Sequence, residues 1–139
     1  MSIEPLLAHL HELETGLGAE FRAAAERQRG EHDIYHQCQN FALAADKRAQ
    51  KLQPRADGHP EWTTSLRAGG GDPLEELRML YLRVQEVAIT WTMAAQAAKA
   101  LRDSDLLELA TECQSESETQ AKWFTTRIKT AAPQALTVG

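Results

Sequence analysis

Residues 54–72 read Pro54-Arg-Ala-Asp-Gly-His-Pro-Glu-Trp62-Thr-Thr-Ser-Leu66-Arg-Ala-Gly-Gly-Gly-Asp72, and the length of this stretch decides the architecture. Pro, Gly, Ser, Thr and Asp crowd it, so it reads as a connection and not as a helix. Trp62 and Leu66 are its large apolar residues and are expected to pin it onto whatever lies beside it. Immediately before it, Ile34, Cys38, Phe41, Ala45, Arg48 and Leu52 recur at helical spacing, and Pro54 closes that run because a proline cannot continue a helix. Immediately after it, Asp72 is an N-cap, Pro73 the first helical residue and Glu75 the third, an acidic variant of the capping box. The helix this starts has the apolar face Leu74, Leu77, Tyr81, Val84, Ala88, Trp91, Ala95 and Ala98 and closes on Lys99 and Arg102, cations where the macrodipole favours them.

Outward from this pair, two more amphipathic segments appear. Ile3, Leu6, Leu7, Leu10, Leu13, Leu17, Phe21 and Ala24 form one stripe, with Ser2 as N-cap and Pro5 in the first turn. Leu106, Ala110, Cys113, Ser117, Gln120, Phe124 and Ile128 form another, with acids leading and bases trailing as the dipole prefers. The expected helices span about 3–28, 32–53, 73–102 and 104–131 within a single domain over 1–139. Gly30 marks the break between the first two; one continuous helix over 3–53, about 75 Å long, is the alternative. Pro133 is expected to end the last helix and leave 133–139 as a loose tail. Connections therefore run short, long, short. A helix of about 22 residues is about 33 Å long, and a linker of about 19 residues reaches about 60 Å. The long one can travel the length of a bundle and set the second and third helices parallel.

Composition narrows the function classes. Over 139 residues, 15 Lys+Arg stand against 20 Asp+Glu, a formal net charge of −5. That acidity argues against nucleic acid as a partner, which needs a basic face. No window approaches the apolar length of a membrane span. The charged start, Met1 to Glu14, lacks a small-residue cleavage site and is not read as a signal peptide. Two cysteines, Cys38 and Cys113, make no disulfide framework and suit a reducing cytoplasm. Both fall on apolar faces, where buried thiols are the simplest reading.

Glu14, Phe21, the segment Phe41-Ala-Leu-Ala-Ala-Asp46-Lys-Arg-Ala49 and Glu86 resemble the ferritin-like superfamily, rubrerythrins included. Glu14 stands where that family places its first-helix carboxylate ligand, and Phe21 where it carries an aromatic. The Asp46 segment resembles the second-helix stretch, and Glu86 the third-helix carboxylate. The resemblance implies a four-helix bundle of two antiparallel hairpins joined by a long crossover loop, all-α throughout. It would also imply a di-iron centre, but that chemistry needs Glu-x-x-His pairs, and this chain contains none. On the second helix the pair would be Asp46 and Ala49. On the fourth it would be Cys113 and Glu116, or Gln114 and Ser117.

His32 and His36 are a separate metal-ligating candidate, four apart and therefore on one helix face. His9 and His11 are two apart and do not share a face, and His59 lies in the linker. Trp91 and Trp123 read as core or interface anchors. Gly69-Gly70-Gly71 lacks the lysine of a phosphate loop, and no nucleophile elbow occurs.

The expectation is thus a non-catalytic, metal-free bundle without cofactor, acting through association, first as a homodimer and second with another protein. Trp123 and Phe124 are adjacent and point about 100° apart; one should lie on the outer surface as an interface anchor. The alternative is a divergent iron protein, bacterial and linked to oxidative stress, using Glu14, Asp46, Glu86, Glu116, His32 and His36.

Overall fold

Helix formers held at three- and four-residue spacing fold into four helices: α1 (Ile3–Arg27), α2 (His32–Leu52), α3 (Pro73–Leu101) and α4 (Ser104–Thr137), with one 3-10 turn over Gln53–Arg55. The computed structural model describes residues 2–64 and 69–137, and among these there is no strand. Leu66, expected to help pin the linker, lies outside the described residues. No described helix is long and apolar enough to cross a membrane.

The helices form a bundle. α1 pairs with α2 and α3 with α4; α1 also packs on α3, while α2 meets α4 only lightly. Ion pairs fix the directions. Arg27 at the end of α1 meets Glu76 in the first turn of α3. Lys51 at the end of α2 meets Glu112 near the start of α4, and Asp33 at the start of α2 meets Arg127 near the end of α4. Both neighbouring pairs are therefore antiparallel. α3 touches two helices, which is why its buried set is wider than one stripe: Leu80, Val87, Thr90 and Ala94 join Leu77, Val84, Ala88, Trp91 and Ala98.

The aromatic end of the core comes from three helices. Phe21 and Phe124 stack with ring centres 6.1 Å apart and planes 2° from parallel, and Phe41 lies 5.6 Å from Phe21. Phe124 takes the core position, and Trp123 takes the flank, half-buried and edge-on to Phe41 at 5.8 Å. The adjacent pair thus splits between core and flank, and Trp123 is covered on one side rather than standing free on the surface. Trp62 is half-buried and packs against the core from the linker.

Two local expectations are corrected. The break between α1 and α2 does fall at 28–31, but Gly30 does not make it. Among the described residues no glycine has positive φ, and a Cβ at Gly30 would meet nothing within 4 Å. The backbone of Gln28 closes the turn, its N–H donating to Ala24 O and its carbonyl accepting from Glu31 N–H, both at 2.9 Å. Its side-chain amide donates to Gly71 O at 3.0 Å, tying the turn to the start of α3. At the other end of the chain, α4 runs through Pro133 to Thr137. A proline inside a helix removes one donor, but here the turn is exposed, so water can take the freed carbonyl. The Thr137 hydroxyl donates back to the Pro133 carbonyl.

Between α3 and α4, Arg102 adopts the left-handed conformation at φ 57. This reverses the chain, and Asp103 then caps α4 by accepting from Leu106 N–H at 3.1 Å. Arg55 donates to the same carboxylate at 2.6 Å and holds it below the usual carboxylate range.

Candidate functional site

The helical spacing that places Phe41, Ala45 and Leu52 inward on α2 carries Arg48 inward with them. Its guanidinium is the second-largest side chain sealed in the core, after Trp91. A buried cation must find charge or hydrogen-bond partners, and two other helices supply them, α1 and α4. Arg48 Nε donates to Glu14 Oε2 of α1 at 2.7 Å, with the two side chains 1% and 0% exposed. Nη1 donates to Glu116 Oε1 of α4 at 3.1 Å, and Nη2 makes a long contact of 3.5 Å to Gln120 Oε1. α3 adds Trp91, whose indole N–H donates to the same Glu14 Oε2 at 2.8 Å.

Glu14 is the pivot, accepting from α2 and α3 while itself on α1. Burial raises its pKa above the ordinary value, against the pull of Arg48 and the hydrogen bonds from Arg48 and Trp91. Its second oxygen, Oε1, and the nearby-stripe hydroxyl of Ser117 are both buried without a hydrogen-bond partner. The Arg48 pKa lies above its ordinary value, the neighbouring carboxylates outweighing its burial.

A second ionic centre sits at the Gln28 end. Glu76 of α3 is fully buried and receives Arg27 in a two-pronged grip, Nε to Oε1 at 2.6 Å and Nη2 to Oε2 at 2.9 Å. Arg27 Nη2 also reaches Glu20 at 2.7 Å. The linker closes over this carboxylate so tightly that a Cβ at Gly69 would stand 2.2 Å from Glu76 Oε2. The grip raises the Arg27 pKa, the Glu76 hydrogen bond being the main cause.

The residues singled out as ligands fall in four places. Glu14 and Glu116 meet, but through Arg48. Asp46 does not face the core; it is one residue past the buried Ala45, 40% exposed, and pairs with Arg22 at 2.8 Å. Glu86 turns to the linker and accepts from the Thr64 hydroxyl at 2.6 Å. His32 and His36 lie exposed at the start of α2. The α2 residue facing Glu14 is therefore Arg48 and not Asp46. Its signal was present in the sequence: a lone cation on the stripe Ile34, Cys38, Phe41, Ala45, Leu52 calls for a buried anion. Gln28 and Glu76 carried no comparable signal.

The residues do not fit a di-iron centre. Two dications would need the space between the carboxylates that the guanidinium fills, and an arginine cannot give up its charge to make room. Among the described residues, no three His, Cys, Asp or Glu side chains gather closely enough to hold a metal ion. Cys38 and Cys113 are both buried and free, and burial pushes each thiol up to about 12. Protonated thiols of this kind are poor nucleophiles. What remains is a charged lock joining all four helices. No protein-family model and no curated protein sequence matches the chain.

Proposed function

We propose that this chain is a ferritin-like bundle whose core carries no metal and no catalytic centre, and that it works in the cytoplasm by association, first with a second copy of itself. The observation that carries the reading is Arg48, bonded to Glu14 and Glu116 where iron would have to stand. The topology is supported by helix directions. α1 is antiparallel to α2 across a short turn and to α3 through Arg27 and Glu76, so α2 and α3 run the same way. Linker positions agree: Gly58 lies beside Glu4, Thr64 bonds Glu86, and Gly71 bonds Gln28, which follows the bundle from one end towards the other. Association is supported by Ile89 and Met93, exposed four residues apart on α3, with Leu101 exposed further along; such apolar exposure marks contact surfaces.

Elemental analysis of untagged protein and light scattering test the two halves of the reading. The expected results are iron well below one per chain and a particle of twice 15.5 kDa. Two irons per chain would establish the divergent iron protein instead. A monomer at micromolar concentration would remove the self-association.

A further inference from the structure

α2 opens His32-Asp33-Ile34-Tyr35-His36, and Ile34 is the residue of this turn that enters the core. Residues four apart stand one above the other on a helix. His32 and His36 are thus left together on the outer side, both exposed, with ring centres 4.5 Å apart and planes at 84°. A ring nitrogen holds a transition ion at about 2.0 Å, which puts the ring centre about 3.2 Å from the ion. With each ring turned so that one nitrogen faces the ion, two centres 4.5 Å apart subtend about 90° at it. That is the angle between neighbouring ligands in square-planar or octahedral coordination, and it is narrower than the tetrahedral angle zinc prefers.

We propose that His32 and His36 form a surface site for one divalent late transition ion, copper(II) above all. The site is separate from the sealed core and goes beyond the reading given above. Imidazole suits copper and nickel, and copper(II) stands highest in the affinity order of the divalent first-row ions. Once one imidazole is bound, the second binds within the same molecule, which multiplies the affinity without a new contact surface. The charges around the pair balance. Arg127 borders the same small depression, together with Gln37 and Trp123. Asp33 also borders it, its carboxylate 3.7 Å from Arg127 Nε and 71% exposed. Asp33 offsets the arginine, and water completes the open coordination positions.

Titration of the full, untagged chain with copper(II), followed by calorimetry and by tryptophan fluorescence, tests the site, since Trp123 borders it and a bound copper(II) ion quenches a nearby indole. The expected result is one ion per chain. Affinity should fall at least tenfold in His32→Ala and in His36→Ala, and electron paramagnetic resonance should show two coordinating nitrogens. Both positions are exposed, and unchanged circular dichroism would show that the variants fold. His59→Ala, in the linker, should bind as the native chain does. Native binding no tighter than that of the His32→Ala/His36→Ala double variant would overturn the site. Zinc binding tighter than copper would overturn the geometry assigned to it.

Discussion

Arg48 and Arg27 each bond a carboxylate withdrawn from water, yet the two centres are built differently. Arg27 grips Glu76 with two prongs, and both oxygens of that carboxylate are used. Arg48 divides its donors among Glu14, Glu116 and Gln120, and Glu14 Oε1 is left without a partner. The Arg27 centre is half open to solvent and sits where a turn, a helix start and the linker converge. At the Arg48 centre the Arg48–Glu14 pair is sealed and Glu116 alone reaches solvent, and the centre sits where four helices must agree on register. An ion pair with unfilled hydrogen-bonding capacity in a dry core is a poor source of net stability, because desolvation offsets attraction. The same pair is a strict specifier, since any slip strands a charge. The difference between the two centres is thus one between fastening an end and fixing a register.

Removing one partner at each centre separates these roles. Arg48→Ala strands Glu14 and should cost about 3–5 kcal/mol in urea denaturation. Replacing the pair together, Glu14→Leu with Arg48→Met, should cost less than that single change, even though Trp91 loses its acceptor. A loss below about 1 kcal/mol for Arg48→Ala would mean that water reaches the centre and the contrast with Arg27 is false. Arg27→Ala should cost about 2–3 kcal/mol, less because the Gln28 amide, 3.5 Å from Glu76 Oε1, stays beside the carboxylate. Gly69→Ala should then be better tolerated in the Arg27→Ala background than alone, as the freed carboxylate can move away from the added Cβ.

One thiol lies beside each centre: Cys113 feels Glu14 and Arg48, and Cys38 feels Glu76 and Arg27. Burial pushes both up to about 12 from the ordinary 9.0. In the unfolded chain they ionise near 9 while the folded thiols keep their protons. The folded state therefore binds more protons, and stability falls as pH rises between about 9 and 12. Each thiol contributes at most about 1.4 kcal/mol per pH unit. Denaturation at pH 8 and pH 10 should show the loss, and Cys113→Ala and Cys38→Ala should each reduce the difference. A disulfide reagent at pH 8 should find neither thiol reactive until the chain unfolds. The smallest effect belongs to an exposed arginine–carboxylate pair, Arg22 with Asp46. Asp46→Ala, which breaks the contact with Arg22, should change stability by no more than about 0.5 kcal/mol. A larger loss would mean that the outer face of α2 carries structure that the two buried centres do not.

Much of this fold was legible in the chain. The break before α2, the Asp72-Pro73 start of α3 and the Lys99–Ser104 boundary are all written in local chemistry, because caps and prolines act within a few residues. Arg48 was legible as a position and not as a role. Its place on the apolar stripe follows from a period of 3.6, but its partners lie 34 and 68 residues away, and no local rule points there. Glu14 was named only through the resemblance, as a first-helix ligand outside the apolar stripe, and its burial against Arg48 comes from the structure alone. Asp46, taken from the same resemblance, lies off the buried face by one step of the helix. Pro133 misled because propensity weighs a proline as a stop, whereas an exposed final turn loses little by keeping it.

The sequence by itself determined that the fold is helical, where the helices begin, and the main apolar stripe of each. These depend on backbone hydrogen bonding and on apolar periodicity, both of which repeat within one turn. Only the tertiary structure decided what the inward polar residues do. Arg48 became a lock rather than a surface cation, Gln28 rather than Gly30 made the turn, and Glu86 went to the linker while Glu76 went to the core. A buried charge takes its meaning from the groups that packing brings within about 3 Å of it, and those groups come from other helices, whose spacing in sequence says nothing about where they will meet.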